Sequence, residues 1–512
     1  MHTCSKSGLL IILFLSTVAT SYLFAQSIRQ PTQYYTEIGT YVASSIETPF
    51  WLRANQYGIV PNRSPLLTFR AGVYSDYDMA SHSTGRWKKS KYDFGYGLNL
   101  VVNRTQNQLS YESNVLLPEA YVKVRRGIWE AYIGRRREKF GLADSTLSTG
   151  SYAWSGNAMP IPKIQISIPV FTPIGFTKGW LAVQGTFAHG FLSASGFVEN
   201  TLLHQKSLYF RFGREKDVVR LYGGFNHQVV WGGHTDRLKG TGLVPDDGRF
   251  PSSLLDYYYV VFGDRNSRTD SSAYTNFEIT NRVGNHLGSI DLGAEIDLVR
   301  HTLFLYRQNI YEDGSLFYLI NIADGLNGLR IRRNDSNAIV RDILIEFLNT
   351  TSQGGPEFII GNPYKQGKDD YFNHQQYRDG WAYRQHTIGT PFIPPSLGSQ
   401  DQYPNGTFTG NNRVYVFHAG IAGSLPIRWR VVKGPLAYQA KLSFSRNLGT
   451  YNNPYTDIRN QFSAYASVVA PLEILGGIQF TANIAVDAGT LYQNSVGAFI
   501  AIRKVWQTKE PK

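Results

Sequence analysis

Cysteine is almost absent from this chain of 512 residues. The one cysteine, Cys4, comes before an apolar run, Leu9–Leu15, whereas a lipid-anchoring cysteine would follow such a run. Lys6 precedes the run and small residues follow it before Ala25, which is the layout of a secretory signal peptide. We therefore expect residues 1–25 to be a cleaved leader, which would leave a chain without cysteine and with no disulfide.

Long apolar runs are also lacking. A membrane helix needs about 20 consecutive apolar residues, and after Leu15 the sequence offers no such stretch. Neither a Ser/Pro-rich linker nor a charge block divides the remainder. We expect residues 26–512 to form a single domain that does not cross a membrane with helices.

Aromatic residues and glycine are abundant instead. The chain has 33 Tyr, 29 Phe, 9 Trp and 49 Gly, yet its mean hydropathy is −0.26. Outer-membrane barrels combine aromatic girdles at both membrane interfaces with a polar lumen and polar loops. The composition therefore favours a β-barrel over a water-soluble domain.

Strict alternation of apolar and polar residues supports the same fold. In Ile478–Asp487, apolar side chains occupy the even positions, and Gln479, Thr481, Asn483 and Asp487 share the other face. A membrane-spanning strand needs about 9 to 11 residues, with apolar side chains toward lipid and polar ones toward the lumen. Similar segments occur at Leu208–Phe212, Val219–Gln228, Ala120–Arg125, Trp129–Gly134, Ile290–Leu298, Tyr438–Ser445 and, as the closing strand, Val496–Trp506. These patterns predict an all-β fold, a transmembrane antiparallel barrel of about 16 to 20 strands.

Connection lengths predict which end of the barrel faces outward. Tight polar turns, such as Arg214–Asp217, suit the periplasmic end, and long segments suit the extracellular end. Three long segments are therefore expected outside: Gly141–Lys163, Gly232–Leu255 and Thr350–Asn412. The segment Glu47–Gly58 breaks the alternation, and we expect it to be a bend, a rim segment or part of a plug.

The formal net charge of +13 points to negatively charged neighbours. Basic clusters lie at 87–91, 135–137 and 330–333. One interpretation pairs lumen arginines with facing acids and rim cations with lipopolysaccharide phosphates; the other makes the basic surface a platform for an acidic polysaccharide. A nucleic-acid partner is not expected in this location.

Catalytic and metal-binding patterns are weak. Ser, His and Asp are scattered without a diagnostic spacing, and His227 and His234 fit a hydrogen-bonded scaffold better than a site. The pairs Asp246–Asp247 and Asp369–Asp370 lack the spacing of a calcium loop. We expect no catalytic residue, no metal and no cofactor.

Six motifs in register resemble the capsule assembly Wzi family from about Tyr35 to the last strand. The resemblance implies an 18-stranded outer-membrane barrel that binds capsular or exopolysaccharide and helps attach and organise it on the cell surface, and it does not imply catalysis. We expect a monomer. At Asn327 the chain departs from the aromatic residue expected in relatives. The motifs are ETPFWLRANQYG (Glu47–Gly58), WSGNAMPIPK (Trp154–Lys163), LLHQKSLY (Leu202–Tyr209), QNIYEDGSL (Gln308–Leu316) with Asp324–Leu326, DDYFNHQQYRDGW (Asp369–Trp381), and Asn412–Val414 with His418 and Arg446–Tyr451.

The segment Thr350–Asn412, here called the long loop, carries the candidate glycan-binding residues Tyr371, Asp370, Trp381, Arg378 and Asn373. Aromatic rings pack on the C–H faces of sugars, and carboxylate, amide and guanidinium groups match pairs of hydroxyls. The competing interpretation is that these aromatics pack the loop over the barrel mouth. Two other functions stay open: a porin for anionic or small polar solutes, and, less favoured, a barrel enzyme acting on lipid or peptide.

Overall fold

The computed structural model describes residues 31–77, 92–105, 115–193, 195–264, 274–275, 278, 282–312, 315–359, 362–365, 367–396, 408–427 and 429–508. The expected leader and the basic cluster 87–91 lie outside these ranges. Among the helices within them, none is long and apolar enough to cross a membrane.

Eighteen antiparallel strands close into a barrel, because the last strand pairs with the first from Gln33↔Gln507 to Ala43↔Gly497. The predicted architecture is confirmed, and the strand count falls inside the expected range. The barrel strands are β1 (Gln33–Ala43), β2 (Leu66–Ser75), β3 (Tyr92–Thr105), β4 (Val115–Arg126), β5 (Trp129–Arg135), β6 (Lys163–Pro173), β7 (Leu181–Ser193), β8 (Thr201–Phe212), β9 (Val219–Trp231), β10 (Asn285–Asp297), β11 (His301–Glu312), β12 (Gly325–Arg333), β13 (Asp342–Asn349), β16 (Val414–Leu425), β17 (Leu436–Gly449), β18 (Pro454–Leu472), β19 (Ile478–Gly489) and β20 (Ser495–Gln507). A separate two-stranded hairpin, β14 (Ala382–Tyr383) and β15 (His386–Thr387), lies within the long loop.

The apolar and polar residues that alternate in the sequence point alternately to the outer face and to the lumen of the barrel. On β19, Ile484 is half exposed on the outer face, whereas Asp487 is buried in the lumen and accepts a hydrogen bond of 2.6 Å from Ser463 Oγ. Every strand is bonded on both sides, so no barrel edge is left unpaired.

The two ends of the barrel differ as the connection lengths predict. The start of β1, the end of β20 and the turns 127–128, 213–218, 298–300 and 473–477 lie at one end. There Gly127 takes the left-handed φ of 60° that a tight turn needs. The segments 44–65, 136–162, 232–284 and 350–413 connect strands at the other end. Short turns mark the periplasmic end, so the long segments are extracellular.

The extracellular half of the lumen is filled by a plug, which consists of the inward-folded parts of segments 44–65, 136–162 and 350–413. The short helix α1 (Phe50–Arg53) buries Phe50, Trp51 and Leu52 in it. The Trp51 indole N–H donates to Ser443 Oγ at 3.2 Å, and the Phe50 backbone N–H donates to Asp487 Oδ2 at 2.7 Å. Of the alternatives for Glu47–Gly58, the plug is therefore the observed one.

A second helix, α2 (Leu254–Phe262), packs on the outer wall of the barrel and not on the lumen. It covers outward-facing residues of β8 and β9, including His204 and Trp231, with Tyr257 lying 5.4 Å from the Trp231 ring. Beneath it, His227 Nε2 lies 3.0 Å from His286 Nδ1. His227 is thus a hydrogen-bonded scaffold residue, as the sequence indicated.

Lumen arginines pair with facing acids. Arg136 contacts Glu130 at 2.5 Å and Glu138 at 2.8 Å. Arg330 contacts Asp144 of the plug at 3.0 Å. The pairing interpretation is therefore confirmed for Arg136, Arg137, Arg330 and Arg332, whereas the Arg135 guanidinium donates to the Leu117 carbonyl and the Tyr383 hydroxyl.

Candidate functional site

The long loop is held in the lumen by two buried carboxylates at its base. Asp324 accepts hydrogen bonds from the backbone N–H groups of Ser352 (2.9 Å) and Gln353 (2.7 Å) and from the Tyr371 hydroxyl (2.9 Å). Glu312 accepts from the Phe372 N–H at 3.0 Å. Burial raises the pKa of Asp324 to about 6, against the effect of these donors.

Two of the five candidate residues are completely buried. Tyr371 and Trp381 each have 0% exposure. The Tyr371 ring lies edge-on to Tyr152 at 5.7 Å, and the Trp381 indole N–H donates to the Ala153 carbonyl at 2.7 Å. In this conformation both rings contact only the protein and offer no face to a sugar. A glycan contact by either ring therefore requires the loop to open, and it stays a prediction.

Asp370 and Asn373 bind within the long loop. The Asn373 side-chain amide donates to Asp370 Oδ1 at 2.9 Å, and Asn412 Nδ2 donates to the same oxygen at 2.5 Å. Asn373 also closes a reciprocal pair of bonds with Thr409. Burial raises the pKa of Asp370, while the two amides oppose that rise. Both residues tie the middle of the long loop to its C-terminal end.

Arg378 lies beside a partly exposed aromatic ring of the β7–β8 connection. Its guanidinium carbon lies 5.2 Å from the Phe197 ring centroid, and that of Arg237 lies 5.4 Å from the same ring. Next to them, Asp379 accepts from the Phe197 N–H at 2.7 Å. The long loop therefore meets the β7–β8 and β9–β10 connections at a partly exposed ring flanked by two cations.

A groove of about 440 Å³ opens on this side of the rim. We call it the rim groove. It is lined by Asn200, Leu202, Gly233, His234, Arg249 and Ser252.

Backbone pairing makes the rim groove rigid. His234 and Glu199 exchange hydrogen bonds of 2.8 and 2.9 Å between the two extracellular connections. His234 also forms a bridge to Arg249, and the Thr235 hydroxyl donates to the Phe197 carbonyl at 2.7 Å. Gly233 has a φ of 95° and lies so close to Glu199 that a Cβ atom would meet its carbonyl oxygen at 2.6 Å.

Charged side chains of both signs surround the rim groove. Arg249 is exposed in the groove, and Arg237 and Lys239 precede it on the same connection, which also carries the exposed residues Asp236, Asp246 and Asp247. Lys239 and His234 both contact Asp236, at 2.7 and 3.3 Å. Arginine and an apolar ring side by side can bind a carboxylated or hydroxyl-rich ligand in a planar, directional way.

Sequence reasoning missed most of this groove. His234 was noted only for its spacing from His227, and Phe197, Arg237 and Arg249 carried no motif. The signal available was the pair of Gly232 and Gly233 after a strand, which marks a bend and close backbone approach. Among the described residues, no group of three or more His, Cys, Asp or Glu is placed to hold a metal ion.

Solved structures share the architecture. Wzi of Escherichia coli, described as an outer-membrane protein involved in group 1 capsule assembly and as a carbohydrate-binding β-barrel, aligns with a TM-score of 0.55 at 13% identity, covering 98% of this chain and 89% of that one. OpdK of Pseudomonas aeruginosa, solved with vanillate, has a TM-score of 0.46 at 9% identity, with 93% and 98% covered. OccAB4 of Acinetobacter baumannii has a TM-score of 0.44 at 7% identity, with 94% and 100% covered.

The sequence comparisons give one family. No curated protein sequence matches the chain significantly. Residues 67–393, more than half of the chain, match the model of the capsule assembly protein Wzi family. This outer-membrane barrel therefore belongs to the capsule assembly protein Wzi family.

Proposed function

We propose that this protein binds a capsular or exopolysaccharide at its extracellular rim and holds the polymer on the cell surface, without catalysing a reaction. Membership of the capsule assembly family supports the polymer class. Its structural counterpart in Escherichia coli is described as carbohydrate-binding. The expected leader 1–25 would deliver residues 26–512 to the outer membrane, where we expect a monomer whose closed ring of strands contacts lipid and lipopolysaccharide.

The rim groove is the observation that carries this proposal. It combines an open volume of about 440 Å³ with an exposed arginine, a histidine, an asparagine and a serine. Beside the groove, the ring of Phe197 with the Arg237 and Arg378 guanidiniums adds an apolar surface and two cations. Guanidinium groups bind carboxylates through two parallel hydrogen bonds, and a ring face packs on sugar C–H groups. An acidic polysaccharide offers carboxylates to the guanidinium groups and C–H faces to the ring.

Of the five candidate residues, one belongs to the binding surface and four support the loop that presents it. Arg378 contacts the polymer directly beside Phe197. Asp370, Asn373, Tyr371 and Trp381 hold the loop that presents Arg378, because their side chains are bonded to the plug or to one another. In this proposal the surface cations supply the binding energy, and the buried residues hold the loop in the conformation that presents Arg378.

A porin is the second candidate, and one observation disfavours it. Barrels of 16 to 18 strands leave an aqueous channel when their lumen is open. Here the plug packs against wall residues such as Tyr41, Leu344 and Val416 in one continuous buried cluster. The described residues thus fill the extracellular half of the lumen.

The proposal is tested with the double substitution Arg249→Ala and Arg378→Ala. Each arginine can contribute a charge-assisted hydrogen bond, so the affinity of detergent-folded protein for acidic polysaccharides on a glycan array should fall about tenfold or more. Cells carrying the double variant should still make the polymer but release more of it into the medium.

The matched control is Arg300→Ala with Arg430→Ala, which removes the same charge from exposed positions at the periplasmic end. It should leave binding and retention unchanged. Equal loss in both double variants would show a nonspecific charge effect. Normal binding and a normal polymer layer with the rim variant would contradict the proposal.

A further inference from the structure

A small cavity of about 80 Å³ lies between the underside of the plug and the lumen wall. Its lining includes Trp51 and Asn55 of segment 44–65, Lys139 of segment 136–162, Gln439 and Lys441 of β17, and Tyr465 of β18. One water needs about 10–15 Å³ of such space. The cavity therefore has room for several waters or for one small charged group.

Two lysines line this cavity from different elements, and neither forms an ion pair with a described carboxylate. Among the described residues, no carboxylate lies within 4 Å of the Lys441 or Lys139 ammonium. The Lys139 ammonium donates to the Ser145 carbonyl at 2.6 Å. Lys441 is only 8% exposed, and its ammonium lies 4.6 Å from the Trp51 ring centroid.

The carboxylates nearest in the plug region are already engaged. Asp144 pairs with Arg330 at 3.0 Å and accepts from the Leu147 N–H at 2.6 Å. Glu346 accepts from the Ser148 hydroxyl and the Thr149 N–H, both at 2.6 Å. Neither forms an ion pair with Lys441, and a buried ammonium is stabilised by an anion in direct contact.

The cavity faces the periplasmic half of the lumen. Along the lumen side of β17, exposure falls from Ala437, which is exposed, through Gln439, which is partly exposed, to Lys441, which is buried. Ala437 stands near the periplasmic end of the strand. A ligand therefore approaches from below the plug, on the side opposite to the rim groove.

We infer that this cavity is an anion-binding site that takes one oxyanion, either free or as the carboxylate of an acidic sugar, from the periplasmic side of the lumen. Lys441 and Lys139 supply the charge, and the Gln439 amide and Tyr465 hydroxyl supply neutral donors. The site is separate from the rim groove, so it does not depend on the function proposed for that groove.

The test is calorimetric titration of detergent-folded, full-length protein with sodium glucuronate, sodium sulfate and glucose. The protein carries Arg249→Ala and Arg378→Ala, so that binding at the rim groove contributes no signal. Both anions should bind and glucose should not. Lys441→Met should weaken anion binding at least about tenfold, because it removes a charged donor. Lys139→Met, on a different element, should weaken it as well. Lys433→Met, an exposed lysine in the turn before β17 that does not line the cavity, should have no effect.

Tighter binding of glucuronate than of sulfate would identify an acidic sugar as the source of the oxyanion. Equal binding would support the site and assign it to small inorganic anions. The inference is overturned if neither anion binds the folded protein, or if both lysine variants bind as the parent does. Heat-dependent gel mobility confirms that each variant is folded. None of these outcomes alters the polymer retention that tests the rim groove.

Discussion

At the scale of single residues, burial decides what the aromatic side chains of the long loop do. The sequence favours Tyr371 and Trp381 as sugar contacts because rings beside polar groups suit a sugar, yet both are completely enclosed. The same mixture of rings, amides and carboxylates suits the interior of a polar lumen, where each polar atom needs a partner. Sequence alone cannot separate the two uses, since it does not show that Ala153 and Asp324 supply those partners.

Substitution of Trp381 separates packing from glycan contact. Trp381→Ala should cost about 3–5 kcal/mol in local stability because it leaves a large cavity, whereas Trp381→Phe should cost about 1 kcal/mol through the lost bond to Ala153. Hydrogen exchange in the long loop measures both effects, with strand amides as the internal control. If Trp381→Ala left loop exchange unchanged but abolished polysaccharide binding, the ring would be a direct contact.

The Glu138 carboxylate should make plug anchoring sensitive to acid. Burial alone would raise the pKa of Glu138, but the Lys163 ammonium at 2.8 Å and the Arg136 guanidinium at 2.8 Å lower it to about 2. Since the folded pKa lies below the unfolded value of about 4.5, the stabilisation is complete above that value and is lost as the pH falls toward 2. Protease cleavage within segment 136–162 should therefore increase across this range. Glu138→Gln should be cleaved faster at neutral pH and should show a flatter pH profile.

At the scale of elements, the sequence predicts the barrel strands but not the helix α2 that packs on the outside of β8 and β9. Alternation in Ile478–Asp487 identifies a strand because lipid and lumen impose opposite polarities on the two faces. The same rule does not apply to β8 and β9 near the rim, where His204 and His227 face outward under α2. A helix added outside the barrel replaces lipid as the neighbour of those residues, and only the fold shows this.

Capping sets the stability of α2. The helix has only nine residues, so in isolation it would be marginal. The Ser253 hydroxyl accepts from the Asp256 N–H at 3.2 Å, and the Asp256 carboxylate accepts from the Ser253 N–H at 2.7 Å. Ser253→Ala should weaken the helix by about 1 kcal/mol. Faster hydrogen exchange confined to 254–262 would support this. The substitution Ser252→Ala at the exposed neighbouring position should leave that exchange unchanged.

At the scale of the whole molecule, the barrel is a wall around a plug that the same chain supplies. Segments separated by hundreds of residues meet in it: Phe50 binds Asp487, and Arg330 binds Asp144. The sequence predicted the barrel and the extracellular position of the long segments, because both follow from local patterns. It left the inward fold of those segments open, since contacts at such separations have no local signature. The rim groove was missed for the same reason, because it joins the β7–β8 and β9–β10 connections.

Conductance measures whether the plug closes the molecule. The intact protein should be nearly silent in planar bilayers, because buried residues of three segments fill the extracellular half of the lumen. Replacing residues 355–410 with a short glycine–serine linker removes Trp381 and Phe392 from that core. Gln353 donates to Asn412 across the base of the loop at 3.1 Å, so the linker has little distance to span. The shortened protein should show stepwise currents, since an open barrel of 18 strands is wide enough for water and small ions.

Both proteins must first show a β-dominated far-ultraviolet spectrum and heat-dependent gel mobility, because a misfolded variant would also leak. Trp381→Phe provides the matched control, for it keeps the loop and should stay silent. Large steady currents from the intact protein would contradict a closed plug and would favour the porin. Silence from the shortened protein would instead show that segments 44–65 and 136–162 close the lumen by themselves, which would assign the long loop to the rim surface alone.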